Sequence, residues 1–172
     1  LTWRDVQHIL VNTAAKNDSG DAGWFNNDGG TGFHFNHNYG FGRVDANAAV
    51  ALAQTWNNVP AEATPLVGAK STVVAIPDNT PAGVSQTVAI TSVDDILTEH
   101  VEVTVNIGHI NRGDLEVTLT SPKGTVSKLV ELNNDTGDNY TNWTFMTVAN
   151  WGEDPDGTWT LNVADKRTGD AG

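Results

Sequence analysis

Two histidines three residues apart, in Phe33-His-Phe-Asn-His37, have the spacing of a metal-binding pair. Zinc would need a third His, Cys or acid placed to close its tetrahedron, and no pattern in the chain supplies one. The flanking aromatics instead read as packing around the turn Tyr39-Gly-Phe-Gly42. His109 stands at a strand end before Asn111-Arg-Gly-Asp114, and His8 and His100 have no patterned partners. Serines and aspartates are plentiful, but no Gly-x-Ser-x-Gly elbow occurs, so no hydrolytic nucleophile is presented on a strand-to-helix turn. With no cysteine there is no disulfide, thiolate metal site or thiol nucleophile. No residue is assigned a catalytic role.

Oxygen ligands are the remaining chemistry. Calcium is held by carboxylates, amides and carbonyls in loops. Asn17-Asp-Ser-Gly-Asp21 with Asn26, Asn27 and Asp28, and Asn133-Asn-Asp-Thr-Gly-Asp-Asn139, supply them densely. Asp18, Asp21, Asp135 and Asp138 are the candidate calcium ligands. Neither loop follows the EF-hand spacing, and the same residues build ordinary turns. Glu153, Asp154 and Asp156 form a third acidic group, in a turn.

The formal net charge of −12 argues against nucleic acid, whose phosphates need clustered Lys and Arg. No apolar run is long enough to span a membrane.

The elements around these residues fall into two textures. Thr2 is a helix N-cap with Asp5 at the capping-box position, and Trp3, Val6, Ile9, Leu10 and Thr13 share one helical face. That helix should fade near Lys16. Asp45 caps a second, Ala-rich helix running to Trp56, with Ala49, Leu52, Ala53 and Trp56 on its apolar side. Two helices and a loop cannot bury both faces by themselves. Residues 59–70 form a linker, broken by Pro60 and Pro65. From residue 71 the apolar period becomes two. Val101, Val103, Val105 and Ile107 alternate, as do Leu115, Val117 and Leu119, and Trp159, Leu161 and Val163. Ser121-Pro-Lys-Gly124 predicts a tight hairpin. Short strands with frequent turns indicate an antiparallel sandwich.

Several motifs in order carry a resemblance. Leu1-Thr-Trp-Arg-Asp5 and Asn38-Tyr-Gly-Phe-Gly-Arg-Val-Asp-Ala46 resemble the end of the peptidase domain in kexin/furin-like subtilisin-type serine proteases, the proprotein-convertase branch. Arg112-Gly-Asp-Leu115, Thr120-Ser-Pro-Lys-Gly-Thr125, Trp143-Thr-Phe-Met-Thr147 and Trp151-Gly-Glu-Asp-Pro-Asp-Gly-Thr-Trp159 resemble the P domain that follows it. Arg112-Gly-Asp114 thereby has a family explanation and is not read as an adhesion tripeptide.

The resemblance implies a C-terminal, α-helical fragment of a subtilisin-like α/β peptidase domain over residues 1–58, a linker over 59–70, and an all-β, jelly-roll-like P domain over 71–172. It implies a secreted, extracellular, calcium-dependent endopeptidase acting on protein or peptide substrates. The Ser-His-Asp triad would lie upstream of Leu1, in a peptidase portion that is the chain's partner, and the P domain would stabilise that portion. In the family the nucleophile sits in Gly-Thr-Ser, a tripeptide this chain lacks. The alternative is a stand-alone β-sandwich binding or adhesion module. It would not need the two N-terminal helices and the Tyr-Gly-Phe-Gly turn in that order.

Overall fold

The computed structural model describes residues 1–28, 32–92 and 95–169. The chain divides into two compact units, Leu1–Pro65 and Leu66–Gly172.

The first unit opens with helix α1, Trp3–Thr13, started by a full capping box: the Asp5 amide donates to Thr2 Oγ1, and the Thr2 amide to the Asp5 carboxylate. These bonds satisfy amide groups that a helix N-terminus otherwise leaves without partners. The helix ends at Thr13, short of Lys16, because Ala15 pairs with Arg43 through two backbone bonds of 3.0 and 2.9 Å. Between the helices lies a small antiparallel ladder, β1 (Phe25–Asn26) with β2 (His34–Phe35), which the helix–loop–helix reading does not contain. Helix α2, Ala46–Ala53, is capped by Asp45, whose Oδ1 accepts from the Ala48 amide at 3.0 Å. It stops before Trp56, where the chain turns to bring Trp56 and Val59 onto the Asp5 carboxylate.

The second unit is β structure. A four-stranded antiparallel sheet has the order β3-β8-β5-β6 and a second sheet pairs β4 with β7. The strands are β3 (Val84–Ile90), β4 (Val101–Ile107), β5 (Leu115–Thr120), β6 (Val126–Val130), β7 (Tyr140–Thr147) and β8 (Gly157–Asp165). The long strand β8 pairs on both sides, with Val163 opposite Val84 of β3 and Val117 of β5. Alternation holds where it is expected. In β5, Leu115, Val117 and Leu119 are buried, and in β4 Glu102, Thr104 and Asn106 face outward. Ile76, Val105, Ile107, Leu115, Val117, Val130, Tyr140 and Val163 form one core to which both sheets contribute.

Turn chemistry sets the register. Ser121–Gly124 closes the β5–β6 hairpin, with the Gly124 amide donating to Ser121 O at 3.0 Å and Gly124 at φ +89°. Gly83, at φ +64°, lies so close to β8 that a Cβ there would meet Val163 O at 2.4 Å. A bulge between Val105 and Ile107 shifts the β4–β7 pairing. Tyr140, Trp143 and Phe145 then cluster on one side, with ring centroids 5.3–6.3 Å apart. Trp143 remains 45% exposed, whereas Trp151 and Trp159 are buried.

Trp159 is buried on β8 and satisfies its indole N–H on Pro155 O at 2.9 Å. Trp159→Ala should therefore lower the stability of this unit by about 3–5 kcal/mol. Urea unfolding read by near-UV dichroism checks this. An unchanged midpoint would place Trp159 outside the cooperative core.

Candidate functional site

The buried polar groups are where the fold concentrates its specific chemistry, because each must find partners inside the protein. Asp5 is the densest case. Its side chain is fully buried. It accepts from the Thr2 amide (2.5 Å) and hydroxyl (2.8 Å), from the Trp56 indole N–H (3.1 Å) and from the Val59 amide (2.7 Å). The Thr2 amide foremost, then the Val59 amide, the Thr2 hydroxyl and the Trp56 indole, hold its carboxyl well below the usual carboxylate range, against the burial that pushes it up. One carboxylate thus caps α1 and ties the segment after α2 to it. The capping role is legible at residue 5; the partners more than fifty residues away are not.

The histidine pair does not converge on a common point. His34 Nε2 meets Phe41 O at 2.8 Å, and its ring stands edge-on to Trp24 at 5.4 Å. His37 packs between Phe25 and Phe35 at 5.5 and 5.6 Å. Both belong to an aromatic nest beneath the Tyr39–Gly42 turn, as the flanking residues suggest. Among the described residues no group of three or more His, Cys, Asp or Glu is placed to hold a metal ion.

Of the calcium candidates, Asp18 and Asp21 lie in one turn, with the Asp21 amide on Asp18 O at 3.0 Å. Asp21 Oδ1 accepts from the Gly23 amide (2.7 Å) and from Asn36 Nδ2 (2.8 Å). In the other loop, Asp135 accepts from Arg112 Nε (2.7 Å) and from the Gly137 amide (2.8 Å). The Arg112 guanidinium first, then the Gly137 amide, lower the Asp135 carboxyl. Arg112 also lies over the rings of Tyr140 and Trp143, 5.6 and 5.5 Å from their centroids. Asp138 is exposed in the same loop.

The Arg-Gly-Asp tripeptide is not displayed. Gly113 and Asp114 are buried in a 3-10 turn, Arg112–Asp114, and Asp114 Oδ1 accepts from Arg167 at 2.8 Å. Beside it His109 and Asp165, both fully buried at the side chain, meet at 3.3 Å. The His109 partner at the end of β8 has no signature in the sequence.

The Trp151-Gly-Glu-Asp-Pro turn forms a second polar centre. Glu153 is fully buried and accepts from the Thr125 hydroxyl and from Asn150 Nδ2. Thr98 is stitched to the same turn, its amide to Glu153 O (2.8 Å) and its carbonyl to the Gly152 amide (2.7 Å). The Ser-Pro-Lys-Gly-Thr hairpin and the Trp-Gly-Glu turn are thus joined through Thr125 and Glu153. Asp154 faces outward, where Lys123 lies 3.4 Å away.

Comparison with known proteins gives these features a context. The proprotein convertase P-domain model matches residues 98–172. The chain is 42% identical over 96% of its length to a PC3-like endoprotease of Hydra vulgaris, spanning 24% of that protein. It is 40% identical to human proprotein convertase subtilisin/kexin type 6, spanning 17% of it, and 34% identical to the dibasic-processing endoprotease of Yarrowia lipolytica, again spanning 17%. The chain therefore covers a quarter or less of each of these relatives. Among solved structures it superposes on the serine protease of Aeromonas sobria with a TM-score of 0.82 and 25% identity, covering 98% of this chain and 34% of that one. The same protease in complex with its chaperone gives 0.77.

Because the Asp5 carboxyl is depressed in the fold, its stabilisation is complete above its ordinary value of 3.8 and is lost as pH falls towards the lower native value. Asp5→Asn should lower the unfolding midpoint most at neutral pH, and the gap to wild type should close in strong acid. Thermal unfolding across the acid range checks this; a gap that does not change with pH would contradict it.

Proposed function

We propose, from the premise that this chain belongs to the kexin/furin-like subtilisin-type serine proteases as the end of their peptidase domain plus their P domain, that it serves as the C-terminal portion of a secreted, calcium-dependent endopeptidase. The observation that carries this is continuity. Similarity to the relatives runs through both compact units, across 96% of the chain, rather than stopping at the β unit. A free-standing β module would give no reason for the first unit to follow the same order.

In this reading the nucleophile, base and orienting acid lie upstream of Leu1. The present chain supplies no group to the bond-breaking step. Its first unit offers apolar side chains to be covered: Trp3, Val6, Val44 and Val50 are 45–63% exposed. The peptidase portion is the proposed cover. The second unit, proposed to have jelly-roll connectivity, acts through linkage. A domain that binds only the folded peptidase raises its stability by the free energy of that binding.

Protein or peptide substrates, calcium dependence and passage through the secretory pathway follow from the same reading. No helix among the described residues is long and apolar enough to cross a membrane. The turns bearing Asp18 and Asp21, and Asp135 and Asp138, are the surface positions proposed for calcium in this chain.

Deleting residues 71–172 from the full gene product should reduce recovered peptidase activity to background. The check is hydrolysis of a fluorogenic peptide by the secreted material, normalised to enzyme mass. Full specific activity with an unchanged thermal midpoint would contradict the stabilising role.

A further inference from the structure

Four asparagines open an Asn-x-Ser/Thr triplet with no proline in the middle: Asn17-Asp-Ser19, Asn134-Asp-Thr136, Asn139-Tyr-Thr141 and Asn142-Trp-Thr144. This is the acceptor pattern for an N-linked glycan, a bulky polar group that belongs on a surface. Three of the triplets fall within 134–144, and there both the asparagine and the threonine of each are exposed, whereas Asn17 is half-buried. The asparagines also divide by what their side-chain nitrogen does. Asn12, Asn36, Asn133, Asn150 and Asn162 each donate from Nδ2 to another group of the protein. Among the described residues, Asn134, Asn139 and Asn142 donate from Nδ2 to nothing. Asn139 uses only Oδ1, which accepts from the His109 amide at 2.9 Å, and Asn142 is held by its backbone amide on Asn106 Oδ1 at 2.8 Å. Left-handed backbone, at φ +45° and +48°, favours asparagine at 139 and 142 by itself. It does not require an unused amide nitrogen, nor a threonine two residues later.

Of the three, Asn142 has the setting that suits a glycan. It stands on β7 rather than in a loop, and its carboxamide holds no other part of the fold in place. Beside it lies the outward face of the β4–β7 pair. There Thr144 is opposite Thr104, with hydroxyls 2.8 Å apart, and Met146, 61% exposed, is opposite Glu102. Among the described residues this sheet has two strands, so each leaves an edge open to pairing with another chain. We propose that Asn142 is the acceptor of an N-linked glycan, that Thr144 supplies the hydroxyl marking it, and that the glycan covers this outward face. The donor is an oligosaccharide carried on a lipid pyrophosphate. Asn142 Nδ2 bonds to the anomeric carbon of the sugar, and the carbon–oxygen bond to the pyrophosphate breaks. The lipid pyrophosphate leaves, the amide gives up one proton, and nothing is oxidised or reduced. Because Nδ2 donates to nothing in the fold, the linkage removes no internal hydrogen bond. The site goes beyond the protease reading but rests on its secretory route, along which such acceptors are modified.

The test uses the full gene product from its native cells and has two separate readings. Secretion is read first, as protein recovered from the medium. The secreted protein is then treated with a peptide N-glycosidase in heavy-oxygen water, and the peptide spanning 134–144 is mapped. Asn142 should be converted to an oxygen-labelled aspartate. Thr144→Val keeps the side-chain shape and loses the hydroxyl, and should abolish the label at 142, whereas Thr144→Ser should keep it. Secreted protein without label at Asn142, including label confined to Asn134 or Asn139, would overturn the site and leave the secretory reading standing. Protein found only inside the cells would contradict that reading and overturn the site with it.

Discussion

Among the described residues of the first unit, Ile9 and Phe35 are buried while Trp3, Val6, Val44 and Val50 are exposed. Helix α1 has 11 residues and α2 has 8, lengths at which a helix in water is marginal without a packed face. Ile9 is buried, but Trp3 and Val6 on the same side of α1 are not. The unit holds its own geometry largely through Asp5, whose four donors come from Thr2, Trp56 and Val59. That carboxylate closes the unit inwardly, while Trp3, Val6, Val44 and Val50 stay exposed. Under the proposed function, that exposed surface is one wall of the peptidase portion.

The second unit solves its problem from within. Its central strand, β8, is paired along both edges, and the core draws on strands of both sheets. Around this core the buried polar groups sit at the joints rather than in the middle. Asp165 closes one end of β8 on His109, and Glu153 joins the hairpin and the Trp-Gly-Glu turn. Hydrophobic burial is non-directional, whereas a buried carboxylate tolerates few arrangements. The first supplies the bulk of the stability; the second makes the loops adopt one path.

Much of this was legible in the chain. Alternation marked β4, β5 and β8 because each has one face in the core, and the capping residues Thr2, Asp5 and Asp45 marked the helix starts. Helix ends were less legible. α1 stops early for the sake of the Ala15–Arg43 pairing, and α2 for Trp56 and Val59 to reach Asp5. Those are long-range bonds that no local pattern announces. The same holds for His109 with Asp165 and for the burial of Glu153, which in sequence is one more acid in a polar turn. Trp143 was open to two readings. A tryptophan in a strand suits a core or a docking face alike, and here it is half exposed beneath Arg112, beside the bulge at Val105–Ile107. The two-residue ladder of β1 and β2 was too short for any period to reveal.

The central claim is that the chemistry of this protein lies before Leu1, in a serine peptidase that this chain completes. Labelling the full gene product with a serine-directed fluorophosphonate, then mapping the modified peptide, tests it directly. The account predicts one labelled serine, in a Gly-Thr-Ser sequence upstream of Leu1, and none within residues 1–172. Label on a serine inside this chain, or active full-length protein that takes no label at all, would contradict it.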